Sequence, residues 1–594
     1  MKTIFLTGAT GTMGFAGVQE FLRYPDQYNL RVLARPSAKN KELLAPLADK
    51  LEVVWGDLTN YDDILRGVTG ADIVLHVGGM VSPQADYRPK ATLRTNITAA
   101  TNIRDAVLAQ PEDKQPKVVY IGSVAQMGDR REPLHWGRAG DPICVSAYDH
   151  YGLTKAQAER IITNSPIKQW VSLRQSGILY PAILKNYDPI MFHVPIRGVL
   201  EWATVEDSGR LLERVCRDEV PEEFWKNYYN IGSGQEYRIS NYEFECLLLD
   251  AIGCPRPEKI FNANWFTTRN FHGMWYIDGD RLENYLHFRA NVPVKEYFAR
   301  MAESSSVPAG IRFAAKTKIA KLFPRCVKLA MYAMAMSKEH GTQWWIKHNK
   351  TERISAYYGT LEAYKAIPDW KNWDLSHNSD EYTLLDHGYD EQKPKELFTL
   401  EDMQKAATFR GGKCLGYADS LQAKQSSSGS DLQGEAELQA KQSSSDSDLQ
   451  AKRSSSDSDL QAKRSSSDSD LQAKRSSSDS DLQEKRSSSD SDLQAKRSSS
   501  DSDLQEKRSS IWDTPLLWEC AEGHQFTATP RLVLLGGHWC EECMPYPYKD
   551  EPNPRPWQWD RVAKKNPFFA QLWAPLHDEN EDNVYGPEVF DGWE

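Results

Sequence analysis

Short apolar runs alternate with longer segments of helical periodicity over the first 300 residues of the chain. Runs of this length and spacing are typical of strands in a parallel sheet, with helices in the connections. The runs are Thr3–Thr7, Arg31–Ala34, Leu51–Trp55, Ile73–Val77, Lys117–Ile121 and Trp170–Leu173. The pattern predicts an α/β domain, residues 1–300, built on a doubly wound parallel sheet.

The alternation stops near residue 300, and residues 301–410 are predicted to form a helical appendage. Its segment Ile311–Met336 interleaves apolar residues with cations, and Pro324 interrupts it. The cations are Lys316, Lys318, Lys321, Arg325 and Lys328. Two interpretations stay open: a helix packed on the first domain with its lysines in water, and a helix lying on an anionic membrane surface.

Residues 421–510 repeat the unit SDLQAKRSSSD, with one leucine in each repeat, as at Leu449, Leu460 and Leu471. One apolar residue per repeat cannot build a core, and an 11-residue coiled coil needs about three. We predict a disordered insertion. Its serine and aspartate runs are either phosphorylation sites or a solvated spacer.

Two close pairs of metal-binding side chains follow the repeats: Cys520 with His524, and Cys540 with Cys543. Thiolates and imidazole in this arrangement are the ligands of a closed structural zinc site. Residues 511–545 are therefore predicted to form a small zinc-ribbon-like module, with 410–420 belonging to it if Cys414 does. His538 is an alternative ligand, and residues 546–594 form an acidic tail rich in Trp and Pro.

Composition narrows the class of protein. A chain of 594 residues with 18 Trp has apolar mass for several cores, so we expect several domains. The net charge of −11 argues against a chain that coats nucleic acid. No apolar run reaches the roughly 20 residues of a membrane span, and nine scattered cysteines suit a reducing compartment. A cytoplasmic protein is expected, with or without peripheral membrane contact.

A glycine-rich loop, TGATGTMG, directly follows the first strand and precedes a helical segment. Glycines in this context permit a tight turn and let backbone amides approach a pyrophosphate at a helix N-terminus. The loop residues expected to contact a dinucleotide are Gly8, Thr10, Gly11, Thr12, Met13 and Gly14.

The end of the second strand indicates which dinucleotide is bound. A carboxylate there would bind the ribose hydroxyl of NAD, but the sequence has Arg35, followed by Ser37 and Lys39. A guanidinium suits a 2′-phosphate, which favours NADP(H) over NAD(H). Alternatively, Arg35 stacks on the adenine. The pair Asp57 and Leu58, after the third strand, is placed to meet the adenine.

Three side chains form a candidate catalytic set. Tyr151 and Lys155 are four residues apart on a helical segment, hence adjacent on one face. A nearby Lys⁺ and a positively charged nicotinamide favour the tyrosinate, so the phenol can act as a base. Ser123 adds a hydroxyl at the C-terminal end of a central strand.

With these motifs the first 300 residues resemble the extended short-chain dehydrogenase/reductases, the NAD-dependent epimerase/dehydratase superfamily, which has a Rossmann fold. The likeness extends to GGMVS from Gly78, to Asn96, and to LRQSGILYP from Leu173. It implies that Tyr151 is the general acid/base, that Lys155 also holds the nicotinamide ribose, and that Ser123 orients the substrate oxygen. Ser176, Gly177 and Ile178 would pack beside the nicotinamide, Asn96 is either catalytic or structural, and dimers are common. A substrate-binding part is expected at about 176–300.

The sequence indicates the substrate class less clearly than it indicates the fold and the cofactor. The VSLRQSGILYP and ATVEDSGRLL segments are similar to 3β-hydroxysteroid dehydrogenases, so the leading hypothesis is an oxidoreductase acting on a steroid, sterol or other lipophilic alcohol, with or without isomerisation of a 5-ene. The alternative is a sugar-nucleotide epimerase or dehydratase of the same fold. A third hypothesis is a nucleotide-sensing scaffold that uses its zinc module to bind a partner, with nucleic acid not expected.

Overall fold

The computed structural model describes residues 1–185, 187–376, 380–418, 510–547 and 554–586. The chain divides into two units. The larger unit comprises Met1–Lys393, Glu401–Cys414 and Trp518–Glu594, and the smaller comprises Pro394–Leu400 and Leu415–Leu517. The repeats predicted at 421–510 fall, up to residue 509, outside the described residues, so their disorder stays a prediction.

Seven parallel strands form the central sheet of the larger unit, in the order β7-β6-β5-β4-β1-β2-β3. They are β1 Lys2–Thr7, β2 Tyr28–Ala34, β3 Glu52–Trp55, β4 Ile73–His76, β5 Lys117–Ser123, β6 Trp170–Gln175 and β7 Tyr228–Ile231. The predicted doubly wound parallel sheet is confirmed. Its strand order reverses between β1 and β4, and ligands of such sheets bind at this point, beyond the carboxyl ends of the strands.

Alternate residues of the central strands supply two apolar cores, one on each face of the sheet. Ile4 and Leu6 of β1 lie in one core, whereas Phe5 between them lies in the other. Val74 and Leu75 of β4 divide in the same way. Helices cover both cores, which explains why these strands are almost uniformly apolar.

The helices are bounded as follows: α1 Thr12–Phe21, α2 Ala38–Leu44, α3 Tyr61–Val68, α4 Gln84–Tyr87, α5 Pro89–Leu108, α6 His150–Thr163, α7 Val205–Arg214, α8 Asn241–Ala251, α9 Pro257–Ile260, α10 Gly279–Leu286, α11 Val294–Glu303, α12 Ala309–Thr317, α13 Pro324–Ala335, α14 Thr342–Lys347, α15 Thr351–Tyr358, α16 Leu361–Lys365, α17 Leu400–Phe409, α18 Trp559–Lys565 and α19 Pro567–Trp573. Apolar residues of α1 and α7 enter the core of Ile4, and those of α3, α5 and α6 enter the core of Phe5. Pro324 takes the first position of α13, where its missing amide costs no hydrogen bond. Within the described ranges, no helix is long and apolar enough to cross a membrane.

Shorter strands complete the fold: Trp136–Gly137, Ile178–Leu179, Val199–Glu201, Ala203–Thr204, Arg238–Ser240, Trp275–Tyr276, Lys413–Tyr417, Leu516–Glu519 and Gln525–Ala528. Ile178–Leu179 pairs in parallel with Ala203–Thr204, just after β6. This pairing places the chain that follows β6 next to the carboxyl ends of the central strands. The domain boundaries expected near residues 300, 410 and 545 stay predictions.

The smaller unit contains a local core of its own. Trp512 is buried, and its ring lies 4.8 Å from that of Phe398. Its indole nitrogen donates to the carbonyl of Lys395 at 3.0 Å. A tryptophan with both its ring and its N–H satisfied is a well-anchored core residue.

Candidate active site

The glycine loop connects β1 to α1 and has room only for glycines at two positions. Gly8 has a φ of +75°, and a Cβ there would lie 2.7 Å from the Cα of Gly78. A Cβ on Gly14 would lie 2.2 Å from the carbonyl oxygen of Gly8. Gly11, the N-cap of α1, offers no side-chain acceptor to the amides of the first turn. The helix N-terminus is therefore suited to an anion such as a pyrophosphate.

Polar side chains surround the end of β2, as expected for the adenosine end of a dinucleotide. Arg35, Ser37 and Lys39 line the same cavity as the glycine loop. Ser37 caps α2 by accepting from the amide of Asn40 at 3.2 Å, so the turn after Arg35 has a fixed shape. Asp57 and Leu58 also line the cavity, and the Asp57 carboxylate accepts the Thr59 hydroxyl at 2.7 Å.

Tyr151 and Ser123 meet at the carboxyl end of β5. Ser123 ends that strand, and its hydroxyl accepts the Ala125 amide at 3.2 Å. Burial raises the pKa of Tyr151 to about 12, the hydrogen bond with Ser123 opposes this rise, and Asp149 adds to it. In the chain alone the phenol is therefore protonated at neutral pH and can donate a proton.

Lys155 lies one helical turn after Tyr151 and is buried. Its ammonium donates to the carbonyl of Ile121 at 2.8 Å. Burial lowers the pKa of Lys155 to about 8, and the carboxylate of Glu159 opposes this effect. The charge on Lys155 contributes, after burial itself, to lowering the pKa of His76 to about 3, so that imidazole is neutral.

The structure places most of the predicted cofactor residues around one cavity of about 990 Å³. It brings together the glycine loop, Arg35, Asp57, Leu58, Gly78, Ser123, Tyr151, Lys155, Ser176, Gly177 and Ile178. Asn96 lies outside the cavity lining. Its amide nitrogen donates to Met80 O at 3.0 Å and to Thr154 Oγ1 at 2.9 Å, and its oxygen accepts the Met80 amide at 2.8 Å. Asn96 thus ties the loop after β4 to α6.

Comparison with known proteins relates the N-terminal part of the chain to one family. Residues 4–170 match the NAD dependent epimerase/dehydratase family. UDP-glucose 4-epimerases of Rickettsia akari and Rickettsia prowazekii are each 28% identical over 127 residues, which are 20% of this chain. The match spans 36% of the length of these relatives.

Solved structures of the same class align with the chain. A dTDP-glucose 4,6-dehydratase from Bacillus anthracis, in complex with NAD, is 14% identical, with a TM-score of 0.41 over 55% of this chain and 100% of its own. A UDP-glucose 4-epimerase from Bifidobacterium longum, in complex with NAD⁺ and UDP, is 16% identical, with a TM-score of 0.40 over 54% of this chain and 100% of its own.

Several further residues that the sequence did not indicate also line the cavity. They are Asp86, Tyr180, Ile190, His193, Asn270, Phe271, His272 and Tyr357. Among them, His272 Nδ1 lies 3.2 Å from the Asp149 carboxylate, and burial raises the pKa of Asp86 to about 7. These residues come from four separate stretches of chain, so no local motif links them.

Tyr148, a second tyrosine of the cavity, is placed differently from Tyr151. Its φ is +66°, and its hydroxyl donates to Glu352 at 3.3 Å. The guanidinium of Arg353 lies 4.0 Å from the centre of its ring. Tyr148 therefore anchors α15 to the turn before α6.

The four predicted metal ligands form one cluster at the C-terminal side of the larger unit. His524 Nδ1 lies 3.5, 3.7 and 3.6 Å from the sulfurs of Cys520, Cys540 and Cys543, and the sulfurs of Cys520 and Cys543 are 3.8 Å apart. A tetrahedral zinc with S and N ligands needs edges of about 3.5 to 3.8 Å. The cluster thus has the spacing of a closed metal site.

Two other residues considered as members of this site lie elsewhere. His538 points to Glu159, with 2.8 Å between Nε2 and Oε1. Cys414 is buried and lies outside the group of four ligands. The alternative in which His538 replaces His524 therefore has no support in the geometry.

Proposed function

We propose that this chain is an NAD(P)-dependent enzyme that acts on a nucleotide-linked sugar as an epimerase or dehydratase. The observation that carries the proposal is that Ser123, Tyr151 and Lys155 face the same cavity as the glycine loop. A dinucleotide bound at the glycine loop and the proton-transfer groups of these residues would then lie next to the same substrate carbon. The match to the epimerase/dehydratase family supports this substrate class over the sterol hypothesis, which neither comparison supports.

The lining of the substrate side also favours a sugar. Asp86, Asp149, His193, Asn270 and His272 are polar residues of this lining. A lining with this many polar residues suits a ligand that carries hydroxyls better than an apolar steroid skeleton.

The glycine loop fits a dinucleotide, because Gly8 and Gly14 allow a close backbone packing that a Cβ would prevent, and the loop leads into the N-terminus of α1. When bound, the nicotinamide exchanges a hydride with a substrate carbon. Tyr151 exchanges the proton of the hydroxyl on that carbon, at its phenolic oxygen. Lys155, one turn away, favours the phenolate, and Ser123 shares a hydrogen bond with the phenol and orients the substrate oxygen.

We propose NADP(H) as the cofactor because of the residues at the end of β2. Arg35 and Lys39 line the cavity where a 2′-phosphate would lie, and Ser37 adds a hydroxyl. A guanidinium binds a phosphate with two parallel hydrogen bonds, which a ribose hydroxyl cannot match.

To test the proposal, the purified full chain is incubated with NAD⁺ or NADP⁺ and a panel of candidate substrates, and their conversion is measured. UDP-glucose, UDP-galactose and dTDP-glucose are analysed by chromatography, and 3β-hydroxysterols in detergent are followed by the absorbance of reduced nicotinamide. Conversion of a nucleotide sugar without net redox supports the proposal. Reduction of NADP⁺ by sterols alone contradicts it, and tight dinucleotide binding without any turnover would favour the scaffold hypothesis.

A further inference from the structure

The metal cluster adjoins the helix that carries the catalytic pair. Gly536–Glu541, here called the clasp segment, contains the ligand Cys540 and packs on the C-terminal half of α6. Arg160 of α6 donates to the carbonyl of Trp539 at 2.9 Å and pairs with Glu541 at 3.1 Å. The clasp segment therefore contacts α6 through backbone and side chain together.

A buried ion pair between α6 and β6 also contacts the clasp segment. Glu159, one turn after Lys155, accepts from Arg174 Nε at 3.0 Å and Nη2 at 2.7 Å, and both side chains are fully buried. The same Nη2 donates to the carbonyl of Gly536 at 2.6 Å, and His538 Nε2 lies 2.8 Å from Glu159 Oε1, the oxygen that also accepts from Nη2. The clasp thus completes the hydrogen bonding of two buried charges, which is costly to leave incomplete.

The clasp segment has little structure of its own to hold it there. It follows a short π-helix, Arg531–Leu535, and its last residue begins a three-residue 3₁₀ helix, Glu541–Cys543. Cys540 within the segment and Cys543 just after it converge with Cys520 and His524 on one point. Small modules of this kind gain their folding free energy from the metal.

We propose that a zinc ion held by Cys520, His524, Cys540 and Cys543 fixes the clasp segment, and that the clasp segment positions α6 through Glu159 and Arg160. The metal then stabilises the active site indirectly, through the clasp segment and α6, without touching substrate or dinucleotide. Glu159, Arg160 and His538 are positioning residues in this arrangement.

The first experiment compares the full-length chain with a Cys540→Ser/Cys543→Ser variant and with Cys326→Ser, an exposed cysteine outside the cluster. We expect one zinc per chain by elemental analysis in wild type and Cys326→Ser, and none in the double variant. Amides of α6 should exchange hydrogen about tenfold faster in the double variant, while those of α1 change less than about twofold. Unchanged exchange in α6, absence of zinc from wild type, or equally faster exchange in α1 would each overturn the proposal.

A second pair of variants keeps the metal and tests the contact itself. His538→Gln retains a donor near Nε2 for Glu159, whereas His538→Leu removes it. Both variants should bind zinc. We expect His538→Leu to accelerate exchange in α6 about tenfold and His538→Gln to restore most of the protection. Equal exchange in both variants would contradict a positioning role for this contact.

An independent observation concerns the surface of Ala309–Ala335, here called the basic face. Large apolar side chains on it point to solvent: Leu322 is 74% exposed, Leu329 70% and Phe313 60%. Cys326 and Leu329 are exposed on α13, and Leu322 is exposed in the turn before it. The inner side of α13 is apolar too, with Met331 and Ala335 buried.

The charged residues of the basic face itself are all cations. Arg312 joins the five cations noted above, and residues 309–337 contain no aspartate or glutamate, in a chain of net charge −11. Lys321 pairs with Asp250 of α8 at 3.0 Å, which leaves five cations for a ligand. Outward apolar side chains with flanking cations complement an anionic lipid surface, which accepts apolar groups at the headgroup boundary. We infer that the basic face docks on anionic membranes.

Vesicle sedimentation tests this docking. The full chain is mixed with vesicles of phosphatidylcholine alone or with about one-third phosphatidylserine, and we expect at least about tenfold stronger partitioning to the anionic vesicles. Leu322→Ser/Leu329→Ser should weaken it about tenfold, and Leu384→Ser, at an exposed leucine elsewhere, should not. Equal binding to both vesicles, no binding, or no effect of the double variant would overturn the inference.

Discussion

Replacing Glu159 by leucine tests the buried ion pair beneath the active site. The substitution leaves the Arg174 guanidinium, which is fully buried, without its counter-charge. It also removes the acceptor for the Ser172 hydroxyl, 2.5 Å away, and for His538. Breaking one half of a buried pair costs about 3 to 5 kcal/mol, so we expect a loss of that size in the free energy of unfolding.

The double variant Glu159→Leu/Arg174→Met distinguishes two causes of the lost stability: the lost attraction between the two charges, and the cost of leaving the Arg174 charge buried without a partner. Without either charge, most of the stability should return, because apolar residues of similar volume replace buried pairs at little cost. Urea unfolding followed by tryptophan fluorescence measures both variants and wild type. A loss below about 1 kcal/mol in the single variant, or no recovery in the double variant, would refute this reasoning.

The pH dependence of this effect has a definite sign. The Arg174 charge and the hydrogen bonds from His538 and Arg174 outweigh burial and hold the pKa of Glu159 well below its usual value. A carboxyl with a depressed folded-state pKa stabilises the fold above its unfolded pKa of about 4.5, and this contribution is lost as the pH falls. The difference in the free energy of unfolding between wild type and Glu159→Leu should therefore become smaller below about pH 4.

Three further variants test other features. Gly14→Ala should weaken NADP⁺ binding at least about tenfold by calorimetry, because its Cβ would collide with Gly8 O, while circular dichroism stays unchanged. Arg35→Ala should weaken NADP⁺ binding by about tenfold or more and NAD⁺ binding little, if its guanidinium holds the 2′-phosphate. Glu245→Gln should stabilise the fold near pH 8 and have little effect near pH 5, since burial raises the pKa of that carboxyl to about 8 and the wild type loses stability as the pH rises toward it.

Most of the sheet could be predicted because its central strands are continuous apolar runs, the pattern of strands buried on both faces. The strand Tyr228–Ile231 was not predicted from the sequence. Its residues, YYNI, include a buried Asn230 whose amide reaches Asp278 at 3.2 Å, so the run lacks the apolar signature. Its position at the edge of the sheet explains why such a sequence is tolerated.

The grouping of the proposed cofactor residues around one cavity could be predicted because they follow strand ends in short motifs. The substrate half could not, since His193, Asn270 and Tyr357 are far apart in sequence and meet only through the packing of helices after residue 180. The grouping of Cys520, His524, Cys540 and Cys543 could be predicted from their spacing. Their contact with α6 through His538 could not, because a lone histidine beside a cysteine pair is indistinguishable in sequence from an extra ligand.

The most direct test of the central claim is the turnover of Tyr151→Phe beside Tyr382→Phe, a matched change at an exposed tyrosine. With the nucleotide sugar that the wild type converts, loss of the phenol should lower kcat at least about 100-fold, as for removal of a general acid/base. Dinucleotide affinity should stay within about twofold of wild type, because the glycine loop is unchanged. Full turnover by Tyr151→Phe would contradict the account.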